Sequence, residues 1–107
     1  MRRAARVDGN QATIVEALRE IPGCKVVVTS AVGQGFPDLL VGYRGFNFLV
    51  ELKDPTKPKR DQRLTPDQEA FHSSWTGQVM QATNVVDIIE FMTGTPVYQK
   101  LTAASFA

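Results

Sequence analysis

Apolar and polar positions along the chain change period several times, and each change marks an element. Ile14, Leu18 and Ile21 recur at spacings of four and three, with Ala17 beside them. This predicts an amphipathic helix from Gln11 to about Ile21, with Asn10 as its N-cap and Pro22-Gly23 as its stop. Lys25 to Thr29 (KVVVT) is a β-branched run and reads as a strand. Ser30 to Phe36 is a loop that runs straight into the next strand. Two apolar segments, DLLVGY and FNFLVELK, then flank Arg44-Gly45. A two-residue loop ending in Gly is a hairpin signal, because Gly supplies the positive φ of a primed turn. Thr65-Pro66-Asp67-Gln68 opens a second helix, with Thr as N-cap, Pro at N1 and Gln at N3 completing a capping box. Leu64, Gln68, Phe71 and Trp75 share one face of it, which directs Phe71 and Trp75 into the core and Gln68 inward with them. Gly77 ends that helix and Val79 to Ala82 is a short strand. Asn84 caps a last helix to about Met92, whose buried stripe is Val85, Ile88, Ile89 and Met92. The order α-β-β-β-α-β-α predicts an α/β fold: a central mixed β-sheet flanked by helices on both faces.

The hairpin sorts its side chains. With Arg44-Gly45 as the loop, Val41 opposes Phe48, Leu39 opposes Val50 and Asp38 opposes Glu51. Side chains alternate between faces along a strand. One face carries Leu39, Val41, Tyr43, Phe48, Val50 and Leu52. The other carries Asp38, Leu40, Gly42, Asn47, Leu49, Glu51 and Lys53. A three-residue loop would place Asp38 and Glu51 on opposite faces, so the pattern selects the register.

In that register two carboxylates face each other with Cβ atoms roughly 4.5–5.5 Å apart. Like charges so placed destabilise a sheet unless a cation lies between them. Mg²⁺ suits the position, being a hard ion held by one or two carboxylates plus waters and phosphate. Lys53 is two residues past Glu51 and so on the same face, within reach of a phosphate or its attacking water. A surface hairpin with scattered charges is the plainer reading. Leu40 and Leu49 weigh against it, because this face must be covered, and charges in a covered face need partners.

Composition bounds the rest. The chain has 107 residues, enough for one domain with a modest core. Net charge is +1, so bulk charge does not select a partner. Eight of the 12 Lys and Arg residues cluster, however: Arg2, Arg3 and Arg6 in a basic arm over residues 1–9, and Lys53, Lys57, Lys59, Arg60 and Arg63 after the hairpin. Pro55 and Pro58 exclude a regular element in that second stretch, which reads as a mobile basic loop. Phosphate contact by Arg3, Arg6, Lys57, Lys59, Arg60 and Arg63 would position nucleic acid without reading its sequence. A solvated lysine-rich loop has the same composition. Cys24 is the only cysteine, which excludes an internal disulfide and a Cys-rich zinc site; it reads as a small core or strand-entry residue. His72 lies one position off the inner face of its helix and reads as an exposed residue. No signal peptide or membrane-spanning run is visible, so a cytoplasmic location is expected. The central domain spans residues 10–94, and 95–107 form a C-terminal tail of no firm period.

Pro37-Asp38 followed by Glu51-Leu52-Lys53 resembles the motif of the PD-(D/E)XK nuclease superfamily. The spacing, Gly35-Phe36 ahead of the Pro-Asp, and Leu64-Thr65-x-x-Gln68-x-x-Phe71 downstream look most like its VRR-NUC and phage Holliday-junction-resolvase-like branch. The resemblance covers roughly Arg3 to Ile89. It implies a restriction-endonuclease-like αβββαβ core and a Mg²⁺- or Mn²⁺-dependent endonuclease cutting branched DNA. It also implies one or two metals held by Asp38, Glu51 and the Leu52 backbone carbonyl, with Lys53 catalytic and Gln68 bordering the site. Many members carry an acid on the first helix facing the metal, for which Glu16 and Asp8 are the candidates. Symmetric cutting of a four-way junction requires two active sites, hence a homodimer. The competing expectations are a restriction-type or degradative nuclease on linear duplex, a nucleic-acid-binding module with a weak site, and a protein whose carboxylates hold a structural ion.

Overall fold

The computed structural model describes residues 9–94. Arg2, Arg3, Arg6 and Asp8, and the tail 95–107, lie outside the described residues. The elements are α1 (Gln11–Arg19), β1 (Lys25–Val28), β2 (Leu39–Tyr43), β3 (Phe46–Leu52), a 3₁₀ turn (Lys59–Gln62), α2 (Pro66–Ser74), β4 (Gln78–Ala82) and α3 (Val85–Gly94). Their order is the expected one, with the 3₁₀ turn added. The fold is α/β, with a four-stranded mixed sheet in the order β1-β2-β3-β4. Strands β1 to β3 run antiparallel, and β4 lies parallel to β3 after the α2 crossover.

The hairpin has the register that alternation selects. Val41 pairs with Phe48 and Leu39 with Val50. Arg44 and Gly45 both have positive φ, 53° and 83°, as a type I′ loop requires. The apolar face meets α1 and α3, which pack on the sheet and on each other. Ile14, Leu18, Leu39, Val41, Phe48, Val50, Leu52 and Ile88 form the centre of one core. The second face, with Leu49, Glu51 and Lys53, is covered by α2.

Several local expectations need correction. Asn10 starts α1 but makes no side-chain cap. Its Nδ2 instead donates to Lys53 O (3.2 Å) and Thr83 O (3.0 Å), tying the helix start to the ends of β3 and β4. These carbonyls leave the sheet edge and need donors, and the amide supplies them. Helix α2 buries none of its residues fully: Phe71 is half-buried and Trp75 is 44% exposed. The two aromatic rings stack on each other, with centroids 5.1 Å apart, rather than entering an interior. The basic stretch after β3 is also more ordered than its prolines imply. Pro58 precedes the 3₁₀ turn, and Gln62 Nε2 donates to Lys57 O at 2.8 Å, closing the loop on itself. A single tight turn needs few backbone bonds, so proline at its threshold does not prevent it.

Candidate functional site

The site gathers where β2 starts and β3 ends. Asp38 immediately precedes β2, and its Oδ2 accepts the Leu52 backbone N–H at 2.8 Å. That bond crosses the hairpin and fixes the Asp38 carboxylate beside the Leu52 peptide. Leu52 itself is fully buried and closes β3 between Glu51 and Lys53. Continued by one residue, the β2–β3 register sets Asp38 opposite Glu51.

Glu51 and Lys53 are only 3% and 7% exposed. An ionised side chain this deep needs partners, or it costs several kcal/mol of lost hydration, roughly. Gln68 supplies them. Its Nε2 donates to Glu51 Oε2 at 3.1 Å, and its Oε1 accepts from Lys53 Nζ at 2.8 Å. Lys53 Nζ also lies 3.7 Å from Glu51 Oε2. The same Oε1 accepts from Thr65 N–H at 2.9 Å, while Thr65 Oγ1 accepts from Gln68 N–H at 3.3 Å. One rotamer of Gln68 makes both the capping box and the contact with the site. Both halves of the α2 capping box thus run through the residue that bridges the buried acid and the buried amine.

Gly35 sets the helix at that distance. Its φ is +82°, and a Cβ there would lie 2.3 Å from Asp67 O. The loop backbone touches the first turn of α2, and Phe36 packs edge-on against Phe71, with centroids 5.2 Å apart. The loop is thus a wall of the site, and glycine is what permits the approach.

His72 is half-buried, not exposed as its position one step off the inner face implied. It is one helical turn past Gln68, close enough to Lys53 to feel its charge. Its Nε2 is buried without a hydrogen-bond partner. Burial pulls its pKa down from the ordinary 6.5, and the Lys53 charge adds to that shift.

Glu16 does not join the group. It is exposed and lines a surface groove with Arg19, Glu20 and Val28 beside the outer edge of β1. The buried position on α1 nearest its start is Gln11, whose Oε1 accepts from Ser30 Oγ at 3.2 Å. Among the described residues no group of three or more His, Cys, Asp and Glu side chains is placed to hold a metal ion. Asp38 and Glu51 remain as a pair of hard oxygen donors on adjoining strands, a set that suits Mg²⁺ when waters or phosphate complete the shell. Lys57, Lys59, Arg60 and Arg63 are all exposed on the loop after β3. Arg60 reaches Asp61 only at 4.0 Å, an exposed pair that contributes little.

Sequence reasoning missed Asn10, Gln11 and Ser30 as supports of this end of the sheet. Asn10 read as an ordinary cap, and nothing local to it signals a bond to Lys53 or Thr83.

No protein-family model, curated protein or solved structure matches this chain. Among the described residues no helix is long and apolar enough to cross a membrane.

Proposed function

We propose that the chain is a Mg²⁺- or Mn²⁺-dependent DNA endonuclease with a restriction-endonuclease-like core of the PD-(D/E)XK type, hydrolysing phosphodiester bonds in branched DNA. The observation that carries the reading is the buried Glu51–Gln68–Lys53 bridge with Asp38 across the hairpin. A buried acid and a buried amine held 3.7 Å apart by a third side chain are costly to maintain for stability alone. They are well placed for chemistry on a phosphate.

Asp38 and Glu51, with the Leu52 carbonyl, are the groups that would hold the metal. A divalent ion there lowers the pKa of water and offsets charge on phosphate oxygens. The protein's own part is positional. The Leu52 N–H fixes the Asp38 carboxylate. Gln68 fixes the Glu51 carboxylate and the Lys53 Nζ relative to each other. Lys53 orients the attacking water and stabilises the negative charge that grows on the phosphoryl oxygens as the new P–O bond forms and the old one breaks. The exposed cations of the loop after β3 contact phosphates away from the cut. A junction substrate would bring two copies of the chain together, one for each strand cut.

The absence of Glu16 from the site favours a second reading, a nucleic-acid-binding module of the same fold with weak activity. A nuclease acting on linear duplex is the enzymatic alternative. The purified protein with Mg²⁺ or Mn²⁺, offered linear duplex, flap and four-way junction, separates these. Cleavage of branched substrates alone is expected. Glu51→Ala should abolish cutting and leave DNA binding in place. Normal cutting by that variant would refute the assignment, and binding without cutting by wild type would support the module.

A further inference from the structure

Along the same sheet face, away from the hairpin's acidic end, the character changes from polar to apolar. Each same-face step along a strand is two residues, roughly 6.6–6.8 Å. One step from Glu51 is Leu49, paired with Leu40; a second step reaches Asn47. Here the sheet forms the floor of a groove of about 440 Å³ whose walls include Phe36 and Trp75, with Asn47 and Gln78 also in its lining. Trp75 is 44% exposed although its ring stacks on Phe71. Helix α2 thus carries Gln68 to the acid–amine pair and, about two turns on, ends at Trp75 beside the groove.

We infer that this groove holds an unstacked nucleobase of a single-stranded or flap segment, seated against Trp75 and the Leu40–Leu49 pair; the inference rests on the nuclease reading above. Charge is the reason for preferring a DNA strand over a peptide or a second copy. No acidic side chain lines the groove among the described residues. Exposed Lys25, aligned on the same face with Gly42 and Asn47, stands at the end away from the site; at the site end Glu51 follows Leu49, its charge paired with Lys53. An apolar trough with no acid in its lining and an exposed cation at its far end complements a chain of anionic linkers with flat apolar bases. The step from Glu51 to Leu49 is of the order that separates a phosphate from its own base. Asn47 and Gln78 provide amide donors and acceptors for a base edge.

Trp75 is the only tryptophan in the chain, so its fluorescence reports on this groove alone. The test titrates the metal-free protein with a thymidylate 12-mer and with an abasic 12-mer of equal phosphate count. Quenching by the first and not by the second is expected. Trp75→Ala should weaken binding of the thymidylate strand roughly 5- to 150-fold, measured by fluorescence anisotropy of labelled DNA, and leave blunt duplex binding unchanged. Trp75→Phe, which keeps a stacking face, should fall between Ala and wild type; far-UV circular dichroism checks that both variants fold. Equal quenching by the abasic strand, or unchanged single-strand affinity in a folded Trp75→Ala variant, would overturn the inference. So would a dimer that Trp75→Ala dissolves, since the groove would then hold a second copy. Base-dependent quenching by a protein that cuts nothing would uphold the base site and sink the nuclease reading. Flap cleavage without base-dependent quenching would do the reverse.

Discussion

Replacing Gln68 by Ala removes three contacts at once: the bond to Glu51, the bond from Lys53, and half of the α2 capping box. Hydrogen bonds to charged groups contribute about 1.5–3 kcal/mol each. Those two do not simply add, because Lys53 and Glu51 are already 3.7 Å apart and can close on each other once the amide is gone. Together with the damaged cap, the expected loss is roughly 2–4 kcal/mol. For a domain of this size that corresponds to a fall in Tm of about 10–25 °C. Thr65→Ala is the control. It removes only the hydroxyl that accepts the Gln68 N–H, and should cost about 1 kcal/mol. Urea denaturation of both variants, with unchanged m-values, measures the difference. If Gln68→Ala costs no more than Thr65→Ala, the bridge contributes nothing, and Glu51 and Lys53 are not desolvated together.

Gly35→Ala should destabilise by roughly 2–5 kcal/mol, combining left-handed strain with the clash against Asp67 O; Gly33→Ala, at φ +80° in open space, should cost only about 1–2 kcal/mol in the same denaturation assay. Asn10→Ser keeps a good N-cap residue but loses the donor to Lys53 O and Thr83 O, so a loss of about 1–2 kcal/mol is expected, and a neutral result would show that capping was its role after all. His72 is the only histidine, and its folded pKa lies below 6.5, so the unfolded chain binds the extra proton. Its contribution is therefore fully present above pH 6.5 and is lost as pH falls through 6.5 towards the folded value. Stability measured between pH 7.5 and 5.5, roughly the range in which histidine titrates, should fall less steeply in His72→Gln than in wild type; parallel curves would show that His72 is not desolvated.

Hydrophobic period and turn chemistry determined the order of elements, the hairpin register and the second helix start, because each depends on residues close in sequence. The alternation of Leu39, Val41, Phe48 and Val50 admits one pairing, and Arg44-Gly45 is a loop that makes it. The facing of Asp38 and Glu51 follows from that register without further information. Helical period turned Gln68 inward, but tertiary structure alone decided which atoms it touches. Gln68 is 17 residues from Glu51, and Asn10 is 43 from Lys53 and 73 from Thr83, and no local pattern encodes such separations. The exposure of Trp75 and the burial of His72 were likewise settled by how far α2 covers the sheet. Helical period says which residues share a face, but the Gly35 contact with the first turn of α2 sets where that face comes to rest. Glu16 shows the same limit from the other side: its place on the first helix was legible, and its distance from the acids depended on where α1 meets the sheet.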